Sequence, residues 1–104
     1  MFFYPPFARL IQLTFKHKTK EVAEAAAQMM TFAMQVDYGK FLVGPAEPVV
    51  NRVRNQFLME LLVKLPKDGE LIQRCKRFIQ EQVAILHNDK RFRSVVVIAD
   101  VDAI

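Results

Sequence analysis

The chain has 104 residues, a formal net charge of +4 at pH 7 and a single cysteine. This length fits one domain that can bury a core without disulfides or metals. One cysteine excludes an internal disulfide and a cysteine-based zinc cluster, and it is typical of a reducing, cytosolic compartment. No apolar run approaches the roughly 18 residues that a membrane helix needs. We therefore expect no membrane partner, and the net charge is too modest to indicate nucleic acid by itself.

The first predicted strand follows the extended segment Tyr4-Pro5-Pro6. Its apolar side is formed by Phe7, Ile11, Leu13 and Phe15. A helix follows, with Thr19 as its predicted N-cap. The residues expected on the buried face of this helix are Val22, Ala26, Met29, Ala33 and Val36, and we expect Met29, Met30 and Met34 to be core methionines.

The stretch from Gly39 to Pro66 predicts two strands joined by a loop that contains Pro45 and Pro48. From Val53 to Leu65, the polar residues Arg54, Gln56, Glu60 and Lys64 occupy even positions. The apolar odd positions are Phe57, Met59, Leu61, Val63 and Leu65. This period of two indicates a strand with one buried face.

A second helix is predicted after Asp68, which is positioned as its N-cap. Its apolar face consists of Leu71, Ile72, Cys75, Phe78, Ile79, Val83 and Leu86. The segment from Phe92 to Val101 is rich in β-branched residues and predicts the last strand. The resulting fold class is α+β, a ferredoxin-like split βαβ arrangement (β-α-β-β-α-β) with a four-stranded antiparallel sheet and two helices on one face. Right-handed crossovers place the first and third strands in the middle.

This topology brings basic residues from three connections to one edge of the sheet. They are Lys16, Lys18, Lys20, Arg52, Arg54, Lys90, Arg91 and Arg93. The acidic residues expected at the opposite edge are Asp37, Asp68, Glu70, Asp100 and Asp102. One interpretation is that these basic residues have no binding role and cluster only because loops are exposed to solvent. The favoured one is an anion or nucleic-acid surface beside the amino end of the first helix, because like charges delivered by three segments repel one another unless a polyanion relieves them.

The sheet face that the helices do not cover also carries apolar residues. Leu10, Leu58 and Leu62 point to it. The parity of the last strand then adds either Val95, Val97 and Val101 or Val96 and Ile98. A patch of this kind predicts that another domain or subunit packs there, the alternative being scattered surface leucines.

The sequence offers little catalytic chemistry. It has no G-x-x-x-x-G-K-[ST] phosphate loop. His17 and His87 have no serine or cysteine near them in the sequence, and Cys75 lies on a buried helix face, so we expect structural roles for all three. Asp100 and Asp102 share one side of a strand, a pattern that suits either a hard cation or a structural role, and the structural role is the one we favour. We therefore expect no catalytic residue, metal site or cofactor in this chain.

Four motifs, in order, resemble the C-terminal domain of the PriA family of primosomal replication-restart helicases. Tyr4-Pro5-Pro6-Phe7 with Arg9-Leu10-Ile11 resembles the family's YPPF-x-RLI opening. Leu42-Val43-Gly44-Pro45-Ala46 resembles VLGPA, Leu61-Leu62-Val63-Lys64 resembles LLLK, and Asp100-Val101-Asp102 resembles the closing DVDP. The sequence departs from the family where Phe57-Leu58 stands for a frequent Tyr-Arg, and where Ala103 replaces the usual proline.

The resemblance implies that residues 1–104 are one C-terminal DNA-binding and docking domain, a fragment of a bacterial, cytoplasmic 3′ to 5′ DNA helicase. ATP, Mg and Zn would be bound by the parent protein outside this fragment. The implied partners are forked or single-stranded DNA, the rest of the helicase chain, primosome proteins and the acidic tail of the single-strand binding protein, with Lys67 and Arg74 as candidates for that tail. The DNA contacts would be Arg52, Arg54, Lys16, Lys18, Lys20, Arg91 and Arg93, and docking would use Leu10, Leu58 and Leu62.

Two other hypotheses remain open. In the first, the domain is a protein-only interaction module that uses the open apolar sheet face, and its basic edge is incidental. In the second, the domain is a small ferredoxin-like phosphatase, which is disfavoured because no Gly-rich phosphate loop precedes the first helix.

Overall fold

The computed structural model describes residues 8–47, 52–53 and 55–101. Its elements are β1 (Ala8–His17), α1 (Lys20–Tyr38), a short 3-10 helix (Gly39–Phe41), β2 (Leu42–Ala46), β3 (Arg52–Val53), β4 (Gln56–Pro66), α2 (Gly69–Asn88) and β5 (Val96–Val101). The antiparallel sheet has the order β2-β4-β1-β5, and the two-residue β3 pairs with β4. The α+β, ferredoxin-like prediction is confirmed, with the two longest strands in the centre.

The central strands bury the residues that the period-two pattern selected. On β1, Ile11, Leu13 and Phe15 are at most 1% exposed, and on β4, Leu61 and Val63 are fully buried. The two sets are cross-strand neighbours in the register, since Leu13 pairs with Leu61 and Ile11 with Val63. These pairs join the buried residues of both helices in one hydrophobic core.

The predicted buried face of α1 is wrong by about one residue position. Met29 is 41% exposed and Val36 is 88% exposed, whereas Met30 and Met34 are buried. The side that faces the sheet consists of Ala23, Ala26, Ala27, Met30, Met34 and Tyr38. A stripe of alanines lets a helix approach a sheet closely, and this packing decides the rotation of a helix that is apolar on more than one side. Thr19 is the N-cap residue, but its side chain makes no capping hydrogen bond.

Helix α2 follows the sequence prediction. Asp68 caps it, since its Oδ1 accepts hydrogen bonds from the backbone N–H groups of Glu70 at 3.1 Å and Leu71 at 3.3 Å. The predicted apolar face is buried or half-buried. The aromatic ring of Phe78 on this face lies 5.6 Å from that of Tyr38, so the two helices touch near the end of α1.

The last strand begins four residues later than predicted, at Val96 rather than Phe92. Residues 90–94 form a turn in which Phe92 N–H donates to the Asp89 carbonyl at 3.0 Å and Val95 N–H donates to the Phe92 carbonyl at 3.1 Å. Phe92 is 1% exposed and Val95 2% exposed. Phe92 and Val95 are apolar because the turn buries them, and the sequence pattern did not distinguish this burial from that of a strand.

Strand β2 meets β4 through an irregular register. Val43 pairs with Leu62 but Ala46 pairs with Glu60, so β2 has one extra residue in this interval. Gly44 lies there with φ of +106°, and a Cβ at this position would be 3.2 Å from the Glu60 carbonyl oxygen. The bulge therefore requires glycine.

We expect Gly44→Ala to lower the free energy of unfolding by about 1–3 kcal/mol, because alanine is strained at positive φ and its Cβ would crowd the β4 backbone. Urea denaturation followed by circular dichroism measures the change. Gly69→Ala is the matched control, since no atom lies within 4 Å of a Cβ at that helix-start position. Equal stability of the Gly44→Ala variant and the parent chain would contradict the requirement for glycine at position 44.

Candidate nucleic-acid interface

The strand register brings the three basic connections to one end of the sheet. His17, the last residue of β1, pairs with Phe57, and Phe57 also pairs with Arg52 of β3. One residue earlier, Lys16 pairs with Val96, the first residue of β5. The end of β1, the β3–β4 hairpin and the start of β5 are therefore neighbours. We call the basic residues of this end the basic edge. Its members are Lys16, Lys18, Lys20, Lys90, Arg91 and Arg93, together with Arg52, of which the structure describes the backbone.

Arg54, the other predicted arginine of the hairpin, lies outside the described residues. The hairpin turn contains Asn55 with φ of 65°, a conformation that asparagine tolerates well. The register places the backbone of Arg52 two strands away from that of His17, which is about 10 Å at ordinary strand spacing.

The three lysines of the first connection have different surroundings. Lys16 is half-buried and projects from the open side of the sheet, where its cross-strand partners are Leu58 and Val96. Lys18 is exposed in the bend before α1. Lys20 opens α1, and its Nζ lies 3.0 Å from the Glu47 carboxylate.

The contact between Lys20 and Glu47 joins the start of α1 to the segment that follows β2. The hydrogen bond and the charge of Glu47 raise the pKa of Lys20. Sequence reasoning did not include Glu47 in this region. Its carboxylate neutralises part of the positive charge, so Lys20 is a weaker candidate for phosphate binding than Lys18.

The third connection presents two arginines in unlike environments. Arg91 donates to the Asp89 carboxylate at 3.3 Å, and its guanidinium lies 4.9 Å from the centre of the Phe92 ring. The backbone N–H and the guanidinium of Arg91 lower the pKa of Asp89, so this carboxylate stays charged. Arg93 is exposed. Phe92 itself is buried and offers no surface on which a base could stack.

His17 links two of these connections. Its side chain is 6% exposed, its Nδ1 accepts a hydrogen bond from the Thr19 N–H at 2.9 Å, and its Nε2 lies 2.9 Å from Ser94 Oγ. The expectation of no serine near His17 holds only along the sequence, because the fold supplies one from 77 residues away. The burial of His17 could have been predicted from the sequence. The odd-numbered residues of β1 are the inward ones, and this series extends to position 17.

The open face of the sheet is the side opposite the helices. Its apolar members are Leu10, Val43, Leu58, Leu62, Val96 and Ile98. Val43 is 51% exposed, Val96 45% and Ile98 41%, while the three leucines are partly buried. The register shows which residues of β5 belong to the open face. Val96 pairs with Lys16 and Ile98 with Thr14, so these two residues, and not Val95, Val97 and Val101, lie on this side. Polar groups interrupt the patch, and Gln12 donates a hydrogen bond to Glu60.

The described part of the chain contains no cluster of three or more His, Cys, Asp or Glu residues that could hold a metal ion. Asp100 lies on β5 opposite Gln12, and Asp102 is outside the described residues. The Nε2 atom of His87 donates to the Val95 carbonyl oxygen at 2.7 Å, a structural contact. Within residues 8–47, 52–53 and 55–101, no helix is long and apolar enough to cross a membrane.

Comparison with known proteins decides the family. Residues 1–104 match the primosomal protein N C-terminal domain. The chain belongs to this family. Relatives include the replication restart protein PriA of Treponema pallidum, 34% identical over 75% of this chain, and the probable replication restart protein PriA of Deinococcus radiodurans, 34% identical over 68%. The match covers 12% of the first relative and 8% of the second, so the chain corresponds to a small part of each.

Cys75 tests the prediction of a buried, unreactive thiol. The residue is fully buried, and burial raises the pKa of its thiol to about 11. We expect it to react with a neutral disulfide reagent at pH 8 at least about 100-fold more slowly in the native chain than in denaturant, because the thiolate is scarce and shielded. Absorbance of the released thiolate measures both rates. Similar rates would contradict the burial of Cys75.

Proposed function

We propose that this chain is a noncatalytic DNA-binding and docking domain of a PriA-type replication-restart helicase. The observation that carries the proposal is the register that brings the ends of β1 and β3 and the start of β5 to one end of the sheet. The DNA would be forked or single-stranded, bound through its phosphates by the basic edge.

Electrostatics supports DNA as the ligand of this edge. Lys18 and Arg93 are exposed on adjacent connections, and Lys16 projects from the open face at the same end of the sheet. A phosphate backbone offers a line of anions at regular spacing, and contact with it releases counterions. The compact surface with its buried Phe92 ring favours phosphate contact over base stacking.

The open face supports docking onto the remainder of a larger protein. The matched segment is 12% of one relative and 8% of the other, so most of each of those chains lies outside it and could supply a docking partner. Leu10, Leu58 and Leu62 lie in the middle of this face, and the more exposed Val43, Val96 and Ile98 lie on the outer strands. Apolar surface of this kind is what domain interfaces bury.

The parent protein would supply the enzymatic activity. ATP with Mg would bind the helicase lobes, and Zn would bind cysteines outside this chain, in a cytoplasmic protein that assembles with other primosome components. For the acidic tail of the single-strand binding protein, support comes from a groove of about 410 Å³ where Arg74 and Arg77 lie beside Tyr38 and Phe78. Two carboxylates also line this groove, and Lys67 does not.

A protein-only interaction module is the second candidate, and the exposure of Val43, Val96 and Ile98 favours it. In that case the open face would bind a partner protein, and the basic edge would remain solvated. The two candidates differ in their salt dependence, because phosphate contacts weaken steeply as salt rises and apolar contacts do not.

A salt titration of binding to forked DNA tests the first candidate. Roughly five to seven phosphate contacts give a log–log slope of about −4 to −6 on duplex segments. We expect the double variant Lys18→Ala/Arg93→Ala to make this slope less negative by about 1.8, and to weaken binding at 0.1 M salt by roughly 10- to 60-fold, because two phosphate contacts are lost. Fluorescence anisotropy with labelled DNA measures both quantities.

Lys67→Ala/Arg77→Ala is the matched control, because it removes the same charge from exposed positions away from the basic edge. Lys67 follows β4 at the end of the sheet opposite His17. Equal losses in the two double variants would mean that net charge alone attracts DNA, and this result would contradict the assignment of the basic edge.

Docking is tested with the remainder of a PriA-type protein, expressed separately and immobilised. We expect Ile98→Lys to weaken capture of this chain at least about tenfold, because a charge would be buried in the interface. Ile85→Lys is the control, since Ile85 is similarly exposed but belongs to α2 on the other side of the domain. Unchanged capture of the Ile98→Lys variant would exclude the open face as the docking surface.

A further inference from the structure

The connections of the basic edge are tied together by one buried imidazole. His17 closes β1, Thr19 is the N-cap of α1, and Ser94 lies just before β5. Two hydrogen bonds of 2.9 Å join the ring to Thr19 and Ser94. Lys18 lies between His17 and Thr19, and Arg93 directly precedes Ser94. The ring therefore joins the two backbone segments that carry Lys18 and Arg93, the strongest candidates for phosphate contact.

The hydrogen bonds define the tautomer of the ring. The Thr19 backbone N–H can only donate, so Nδ1 presents a lone pair. A neutral ring with its lone pair on Nδ1 carries its proton on Nε2, and this proton points at Ser94 Oγ. His17 consequently uses both nitrogens in different roles, as an acceptor towards α1 and as a donor towards the turn before β5.

We propose that His17 is a positioning residue for DNA binding. Its Nε2–H bond to Ser94 holds the turn that carries Arg93 beside the end of β1, so that Lys18 and Arg93 contact the same sugar-phosphate chain. This inference rests on the proposed function. Residues 90–94 lie outside the sheet in a turn that the buried side chain of Phe92 anchors to the core, and the bond from His17 to Ser94 ties the last residue of this turn to the end of β1.

Two substitutions at position 17 separate the two hydrogen bonds. Asparagine places an acceptor oxygen near the site of Nδ1 and has no atom that reaches Ser94, so His17→Asn keeps the bond to Thr19 and loses the tether. Glutamine places an amide N–H near the site of Nε2, so His17→Gln keeps a donor towards Ser94. Ser94→Ala removes the tether from the other side, at an exposed residue whose truncation leaves the core intact.

The experiment measures the affinity for forked DNA and its salt slope for the parent chain, Ser94→Ala, His17→Asn, His17→Gln and the double variant His17→Asn/Ser94→Ala. We expect Ser94→Ala and His17→Asn to weaken binding by similar factors, about 3- to 10-fold for one lost hydrogen bond, and to flatten the slope by up to about 0.9. The double variant should bind no more weakly than either single variant. His17→Gln should bind within about twofold of the parent.

A further comparison distinguishes positioning from general destabilisation. Ser94→Ala added to Lys18→Ala/Arg93→Ala should cause no further loss, because the tether acts only through those cations. Ring ¹⁵N chemical shifts should report the Nε2–H tautomer in the parent chain and a change in Ser94→Ala. Circular dichroism at the assay temperature confirms that each variant is folded.

The outcomes separate the two proposals. If Lys18→Ala/Arg93→Ala weakens binding but Ser94→Ala binds like the parent, the positioning role is wrong and the basic edge stands. Additive losses from Ser94→Ala and Lys18→Ala/Arg93→Ala would also overturn the positioning role. If the parent chain does not bind DNA, or Lys18→Ala/Arg93→Ala has no effect, the proposed function is wrong and the role of His17 in it falls too.

Discussion

The antiparallel register of β1 with its two neighbours is the constraint on which the rest of the structure depends. It pairs Leu13 with Leu61 and with Ala99, so one side of three strands faces the helices. A slip of one residue on β1 would turn Ile11, Leu13 and Phe15 away from the core. The same register decides that His17 faces inward at the strand end and that Lys16 faces outward beside it. Packing and charge placement therefore have one cause.

This arrangement holds like charges close together at an energetic cost. Lys16, Lys18 and Lys20 follow one another within five residues, and the β5 side adds Lys90, Arg91 and Arg93. Two carboxylates moderate the repulsion, Glu47 at Lys20 and Asp89 at Arg91. Both pairs are exposed, and such pairs contribute little to stability. The two pairs instead affect which cations can attract an anion. Lys18 and Arg93 keep more of their positive charge available than Lys20 and Arg91 do.

The sequence predicted the strands better than the first helix, and the difference has a physical origin. On β4, the polar residues Gln56, Glu60 and Lys64 all fall on the same side of the strand, so the other side is the one that is buried. On α1, Met29, Phe32 and Val36 are as apolar as the residues that do face the sheet, and periodicity cannot choose between these sides. The choice falls to Ala23, Ala26 and Ala27, because small side chains allow close packing. A hydropathy pattern does not indicate that a helix will pack against the sheet through its smallest residues.

The site was predictable at the level of the backbone but not of the side chains. Topology alone placed the ends of β1 and β3 and the start of β5 together, because those ends are fixed by strand direction. The contacts Lys20 to Glu47 and His17 to Ser94 cross 27 and 77 residues of sequence and leave no local pattern. Likewise, Phe92 gave a strand signal because it is apolar, although its side chain is buried from a turn.

The two proposed binding surfaces of the domain would differ in how their binding depends on salt. Added salt would screen the basic edge and weaken its proposed binding to DNA, because less is gained from counterion release. The same change leaves the open face unaffected, and sulfate strengthens the burial of Val43, Val96 and Ile98. Lys16 belongs to both surfaces, since it emerges among Leu58 and Val96 at the end of the open face. DNA on the basic edge and a neighbouring domain on the open face would therefore both lie next to Lys16.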